Sequence, residues 1–358
     1  MSDLPAGSQP VGSKWVLKAK YNADGSVEQY KARIVGKGYW HIKGLAYDVS
    51  FASVMRYDSL HPINALATYL SLDTDQLHIK SAFLNGDLVE EICMVPAPGI
   101  GLNGKIVGLD KALYGLKQAP LAWFEKLSQG LAMWGLISLP FDPCVFISAD
   151  PKILVLLYVA DITTAGSRSD INRLIDRLGS HFKMLANGSL KYILAIQIKH
   201  TTEGMQISHH QYITNILSCF GMQSCRPVST PIDSKTSFVK ASDSDPVFDQ
   251  SLYQRMIGSP MYLVTCTRLD LGFSLSYLSR FFSHPLERHY TAVTRVIHYL
   301  PVTHSMSRKY QRPPTSVPLT MVAFSNPECA TYRDTNSSVS RYAIMWHGCA
   351  IFWLSKEQ

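Results

Sequence analysis

The sequence predicts an α+β fold. Alternating or wholly apolar runs bounded by Asn-Gly, Asp-Gly and proline recur along the chain, and stretches of helical periodicity interrupt them. The order is strand, helix, strand, long helix, strand, helix, strand, which gives a sheet with helices gathered on one face. At 358 residues the chain can hold two or three domains with real cores.

The elements follow in order. Residues 14–38, KWVLKAKYNADGSVEQYKARIVGKG, form two alternating runs around Asp24-Gly25, a tight hairpin signal. Lys18, Lys20, Lys31, Arg33 and Lys37 are its outward basic residues. Residues 60–72 space their apolar positions as a helix does. Residues 76–86, QLHIKSAFLNG, alternate and end on an Asn85-Gly86 turn. Residues 111–135 begin as a loop around Gly115 and Pro120, then become an amphipathic helix carrying Trp123, Leu127 and Leu131.

The run ILVLLYV (153–159) is too short for a buried helix and reads as a buried strand that delivers Asp161 at its end. Residues 169–185 read as a helix with Ser169 or Asp170 as N-cap. Residues 190–200 read as a strand, followed by a further strand that leads into a helix. The segment 223–249 is rich in Ser, Asp, Pro and Thr and reads as a linker; helices are expected at 250–265, 268–282 and 286–300. QRPPTSVP (311–318) marks a second boundary, and 319–358 read as short strands.

Composition narrows the function classes. Hydrophobic residues are 46% and charged ones 17%, which excludes a disordered or collagen-like chain. The formal charge of +7 permits a polyanionic partner without requiring one. Seven cysteines, an odd number with no C-x-x-C pair, argue against a disulfide framework or a zinc knuckle and for reduced thiols inside a cell, cytoplasmic or nuclear. The N-terminus lacks the apolar region of a signal peptide, and no stretch reaches the ~18 apolar residues of a membrane span.

Several strings then occur in one characteristic order: KWVLKAKYNADGSVEQYKARIVGKGY, SAFLNGDL, KALYGLKQAPLAWFEKL, YVAD, LKYILAIQI, IGSPMYL, LSRF, RVIHYL and WLSKEQ. With these the chain resembles the reverse transcriptases of copia-type long-terminal-repeat retrotransposons, as parts of a Pol polyprotein. The resemblance implies a right-hand polymerase fold of fingers, palm and thumb, followed by an RNase H-like α/β domain that is truncated here. The expected divisions are 1–222 for fingers and palm, 223–249 for a linker, 250–312 for a helical thumb or connection, and 313–358 for the truncated domain. It implies RNA-directed DNA synthesis on a primer–template of RNA or DNA, with deoxynucleotides and Mg2+, and no membrane.

Nucleotidyl transfer of this kind uses two divalent ions ~3.5–4 Å apart to clamp the attacking and leaving oxygens. Mg2+ requires hard oxygen ligands in near-octahedral geometry. In the family these are carboxylates from a strand reading L-D-V-K-x-A-F and from a Y-V-D-D turn. Here the strand reads LHIKSAF, with His78 at the Asp position. The turn reads YVAD, with Ala160 at the first acid and Asp161 at the second. An imidazole suits Mg2+ poorly and a methyl group binds nothing. Asp75 lies at an odd offset from His78, which puts it on the opposite face of a strand. Polymerase activity is therefore expected to be absent or negligible, the alternatives being a nucleic-acid-binding remnant without catalysis or a residually active RNA-directed DNA polymerase.

Other family roles match. Arg33, with Lys18 or Lys20, would clamp the incoming triphosphate. Phe83 would crowd the sugar 2′ position, and Tyr114, Gly115 and Pro120 would shape the nucleotide pocket. Residues 190–198 resemble the primer grip, with Ala195 in place of a glycine. By residue type alone, the basic residues are equally a solvated face, Phe83 and Tyr114 core aromatics, Gly115 and Pro120 turn formers, and Asp161 a turn cap. In the tail, FSNPECAT puts Asn326 where the family's RNase H strand has a metal-binding Asp, so that activity is expected to be lost as well. His, Ala and Asn are each one nucleotide from an Asp codon, a pattern that suits an unselected element copy.

Overall fold

The computed structural model describes residues 9–21, 26–40, 50–100, 105–148, 152–233, 238, 245–312, 320–328 and 337–357. It is a mixed α+β fold that divides into two compact units, residues 1–56 with 73–189 and residues 57–72 with 190–358.

The first unit holds two sheets. The hairpin β1 (Val11–Tyr21) and β2 (Val27–Gly36) joins β4 (Asp87–Val95) and β5 (Val107–Lys111) in the order β2-β1-β4-β5, with β1 and β4 parallel. The hairpin's turn at Asp24-Gly25 lies outside the described residues. The second sheet contains β3 (Asp73–Ile79), β6 (Ile137–Leu139), β7 (Asp142–Ser148), β8 (Ile153–Tyr158), β9 (Asp161–Gly166) and β10 (Met184–Ser189). Its order is β10-β3-β9-β8-β7-β6, antiparallel throughout. The apolar run that predicted a buried strand is β8, an interior strand whose residues Ile153–Leu157 are all buried.

Two helices complete this unit. In α2 (Ala119–Met133), Pro120 sits in the first turn, where its missing N–H costs nothing. Trp123, Leu127 and Leu131 follow at four-residue spacing, and each is at most 2% exposed. Gly86 lets α2 approach: a Cβ there would stand 2.8 Å from the carbonyl carbon of Ala122. The helix α3 (Arg168–His181) buries Ile171, Leu174 and Leu178. Its N-cap is Ser167, not Ser169 or Asp170: Ser167 is extended, and its Oγ accepts from the Asp170 N–H at 3.2 Å.

The second unit contains α1 (Tyr57–Tyr69), α4 (His210–Cys219), α5 (Gln250–Cys266), α6 (Gly272–Ser279) and α7 (Glu287–Tyr299). Its sheets are β11 (Tyr192–Ile193), β12 (Ile196–Thr201), β13 (Gly204–Ser208) and β14 (Arg308–Gln311), and then β15 (Met321–Glu328), β16 (Val339–Trp346) and β17 (Cys349–Glu357). Ile213, Tyr253, Ile257, Leu275, Leu278 and Val296 lie in a continuous apolar cluster built on four of these helices. The Ser- and Pro-rich stretch 223–249 is laid against the same helices where it is described. Val228 N–H donates to His298 O at 3.2 Å, Phe248 N–H donates to Pro285 O at 2.7 Å, and Phe238 is 4% exposed.

Three elements differ from the sequence reading. The strand expected over 76–86 ends at Ile79. Ser81 takes a left-handed conformation (φ 52°), and residues 82–85 make a 3₁₀ turn that the Asn85 amide closes onto the Ser81 and Ala82 carbonyls. The helix expected over 268–282 is a 3₁₀ turn (Leu269–Leu271) followed by α6. The strand expected over 190–200 is a hairpin, β11 and β12, turning on Leu194 (φ 49°) and Ala195 (φ 59°). Two successive positive φ values define a tight hairpin turn that favours glycine or asparagine. The Tyr262 hydroxyl donates to the Leu194 carbonyl and fixes this turn.

Two predictions arise from the second unit. Ala195→Gly relieves the left-handed strain and, after the entropic cost of glycine, should stabilise the unit by about 0.5–1 kcal/mol. The check is a higher urea midpoint with an unaltered slope. The second concerns His209, 2% exposed, with Nδ1 2.7 Å from the Thr267 hydroxyl. Burial, and then the Arg268 guanidinium, pull its imidazole down to about 4. Burial, then Arg308, lower His61 in the same direction. The unfolded chain takes these protons near pH ~6.5 while the folded chain refuses them, so stability is lost as pH falls from there toward 4. For His209 alone the loss approaches about 3 kcal/mol. Urea melts across that range should show the fall, and His209→Gln should flatten it.

Candidate active site

The site is built on the register of three strands. His78 pairs with Asp161 across β3 and β9, and Tyr158 pairs with Asp161 across β8 and β9. Val159 and Ala160 therefore form a two-residue turn at the tip. Val159 has φ 56°, a rare conformation for a β-branched residue. Two hydrogen bonds hold the tip. The indole N–H of buried Trp123 donates to the Val159 carbonyl at 2.7 Å, and the Ile79 N–H donates to the Ala160 carbonyl at 2.8 Å.

This geometry brings His78 and Asp161 into contact. Nδ1 of His78 stands 2.9 Å from Oδ1 of Asp161. An ionised carboxylate only accepts, so the imidazole carries its proton on Nδ1. The side chains are 40% and 37% exposed, so the pair is worth less than about 1 kcal/mol. Ala160, beside it, contributes a methyl group.

The remaining nearby acids are committed elsewhere. Asp75 is 3% exposed and takes the Arg168 guanidinium at 2.7 Å, while Asp73 meets Arg168 at 3.3 Å. Asp87 is bound by the ammonium groups of Lys111 and, at 2.7 Å, Lys126. Those hydrogen bonds, Lys111 first, hold its carboxyl below the usual range. Among the described residues no group of three or more His, Cys, Asp or Glu could hold a metal ion. One paired carboxylate, an imidazole and a methyl group do not fit a pair of Mg2+ ions.

Of the residues matched to nucleotide binding, Phe83 and Pro120 share a cavity with Val159 of the tip, and ring contacts run on from Phe83 to Tyr114 and Arg33. Phe83 and Tyr114 pack with ring centroids 5.1 Å apart, and the Arg33 guanidinium lies 5.2 Å from the Tyr114 ring centroid. The Gly36 N–H donates to the Tyr114 carbonyl at 2.8 Å, tying the β1–β2 hairpin to this loop. Gly115 has φ 90°, and a Cβ there would collide with the Gly36 carbonyl oxygen. Phe83 and Pro120 line a cavity of about 390 Å³ together with Phe51, Trp123, Leu157 and Val159. Lys18 is exposed and lies opposite Lys31, while Arg33 lies opposite Val16. Lys14, Lys18, Lys31 and Arg33 thus share one face of the hairpin. Lys20 lies opposite Gln29 in register, its side chain being outside the described residues. Asn326 is exposed on β15, opposite Arg341.

Sequence reasoning missed the two contacts that organise this site. The Trp123 bond to the turn could have been suspected only from an apolar helix carrying one indole. The Arg33–Tyr114 contact left no local signal, because the two residues lie far apart in the chain.

Trp123→Phe tests how the tip is held. Deleting the indole N–H leaves the Val159 carbonyl short of a donor and should cost about 1–3 kcal/mol in a urea melt. A loss below about 0.5 kcal/mol would mean that the turn stands without it.

The family model described as Reverse transcriptase (RNA-dependent DNA polymerase) matches residues 1–234. The chain is 33% identical over 370 residues to the Retrovirus-related Pol polyprotein from transposon TNT 1-94 of Nicotiana tabacum, covering 99% of this chain and 28% of that protein. It is 32% identical over 354 residues to the Retrovirus-related Pol polyprotein from transposon RE1 of Arabidopsis thaliana, covering 97% of this chain and 24% of that protein. It is also 27% identical over 279 residues to the Transposon Ty1-MR1 Gag-Pol polyprotein of Saccharomyces cerevisiae, covering 72% of this chain and 15% of that protein. The chain thus spans about a quarter of the length of the two plant relatives.

Proposed function

The chain belongs to the reverse transcriptase family of copia-type retrotransposon Pol proteins, and on that premise we propose that this copy is a catalytically silent RNA-directed DNA polymerase that retains a surface for nucleic acid. The observation that carries the first half is the His78–Asp161 contact. The family chemistry needs carboxylates from both strands to face a pair of dications. Here the one acid at the β8–β9 tip is hydrogen-bonded to an imidazole, and its neighbour is alanine. Residues 1–222 are read as fingers and palm, 223–249 as linker, 250–312 as thumb or connection, and 313–358 as an RNase H-like region whose Asn326 replaces an acid.

The second half has its own support. Lys14, Lys18, Lys31 and Arg33 form a basic hairpin face, and Arg33, Tyr114 and Phe83 keep the packing suited to a base, a sugar and a triphosphate. A primer–template duplex and deoxynucleotides are the corresponding ligands. Mg2+, where bound in this family, would supply charge neutralisation on the phosphates; in this chain only Asp161 is left to offer it a carboxylate.

A primer-extension assay with Mg2+ or Mn2+ tests the reading. The chain should give no extension, and His78→Asp combined with Ala160→Asp should recover it if the rest of the scaffold is sound. Robust extension by the unmodified chain that disappears in Asp161→Ala would overturn the proposal.

A further inference from the structure

Asparagine followed by glycine is chemically exposed. Glycine has no Cβ to block its own nitrogen from approaching the preceding side chain. The sequence holds three such pairs, at 85–86, 103–104 and 187–188, of which 103–104 lies outside the described residues. The fold treats the other two in opposite ways.

At Asn85-Gly86 both reacting groups are held. The Asn85 amide donates to the Ser81 and Ala82 carbonyls at 3.3 and 3.1 Å, and the Gly86 N–H donates to the Phe83 carbonyl at 3.1 Å. The helix α2 closes over the glycine, with the Ala122 carbonyl carbon 2.8 Å from where a Cβ would stand. Asn187-Gly188 lies on β10, the edge strand of its sheet. The register with β3 runs from Leu185 opposite His78 and Ala186 opposite Leu77 directly to Ser189 opposite Asp75. Asn187 and Gly188 together span one step of β3, which makes this a β-bulge. Asn187 is exposed, and its amide has no hydrogen-bond partner among the described residues. Gly188 has φ 70°, and a Cβ there would meet nothing within 4 Å.

We propose that Asn187 is a site of spontaneous deamidation, and that the fold protects Asn85 from the same reaction. The Gly188 nitrogen gives its proton to solvent base and bonds to the Asn187 side-chain carbonyl carbon. The bond from that carbon to the amide nitrogen breaks, and ammonia leaves with a proton from water. The product is a five-membered succinimide. Water then adds to one of its two carbonyl carbons and opens the ring. Opening at the side-chain carbon gives aspartate, and opening at the main-chain carbon gives isoaspartate. The net change consumes one water and releases one ammonia, with no oxidant or reductant. Strand alternation puts Asn187 on the face of Leu185, whose partner is His78. The reaction therefore adds a carboxylate to the face that carries His78 and Asp161, and the isoaspartyl product also lengthens the main chain at the bulge by one methylene.

The test is incubation of the full chain in warm, mildly alkaline buffer, followed by tryptic digestion at mildly acid pH and mass spectrometry. Peptide 184–191 should acquire the mass shift of amide-to-acid conversion and separate into aspartyl and isoaspartyl forms. Peptide 81–105 carries both Asn85 and Asn103, and fragment ions assign any shift to one of them. Asn85 must first give up its hydrogen bonds, so Asn187 should react at least about tenfold faster. In guanidinium chloride, where neither pair is held, the two rates should converge. Asn187→Gln should abolish the shift in 184–191 and lower the isoaspartyl content of the folded chain, read by enzymatic methyl transfer. Equal rates at Asn85 and Asn187 in the folded chain would overturn the proposal. So would a peptide 184–191 that keeps its mass in the folded chain while the unfolded chain reacts. Neither result bears on the polymerase reading.

Discussion

The antiparallel register of β3, β9 and β8 is the constraint on which the rest of this site depends. Because His78 is paired with Asp161, whatever occupies position 78 faces whatever occupies position 161. Two carboxylates held there would repel unless a cation lay between them. Histidine and aspartate satisfy each other at 2.9 Å with no third component. The backbone ladder and the two bonds at the tip are set by main-chain groups and the Trp123 indole, not by the side chains at positions 78, 160 and 161.

That independence separates the framework of the tip from the side chains it presents. The residues that place the tip are Trp123 and the interior of β8, fully buried and far more constrained by packing than the side chains at the turn. The tight approaches at Gly86 and Gly115 belong to the same framework. Each keeps an element close to its neighbour. His78 and Asp161 sit instead on the partly exposed rim, where a side-chain exchange costs little stability, while change in the core does not come so cheaply.

The two units differ in where they carry strain and charge. The first stores a positive φ at Val159, in the β8–β9 turn, and anchors it with an indole. The second places Leu194 and Ala195 in left-handed conformations at a hairpin, anchored by the Tyr262 hydroxyl. In both, a carbonyl of the strained turn is satisfied by an aromatic side chain from a helix. Basic residues gather on one face of the β1–β2 hairpin, while on the β11–β14 sheet Lys199 and Lys309 share one face and Arg308 is buried on the other. The modest net charge of +7 hides this segregation.

The sequence by itself determined the α+β class, the buried strand at Ile153–Tyr158 and the apolar face of α2, while Asp161, expected at that strand's end, opens the next strand after a two-residue turn. It could do so because periodicity and motif order are local properties of the chain. It misjudged the α3 cap by two residues and ran strands through 80–86 and 194–195, because a left-handed Ser81 or Ala195 has no compositional signature. Only the tertiary structure decided that His78 would close on Asp161 and that Asp75 would be spent on Arg168. These contacts join residues remote in the chain, and which groups meet is set by strand register and burial, quantities that exist only once the chain has folded.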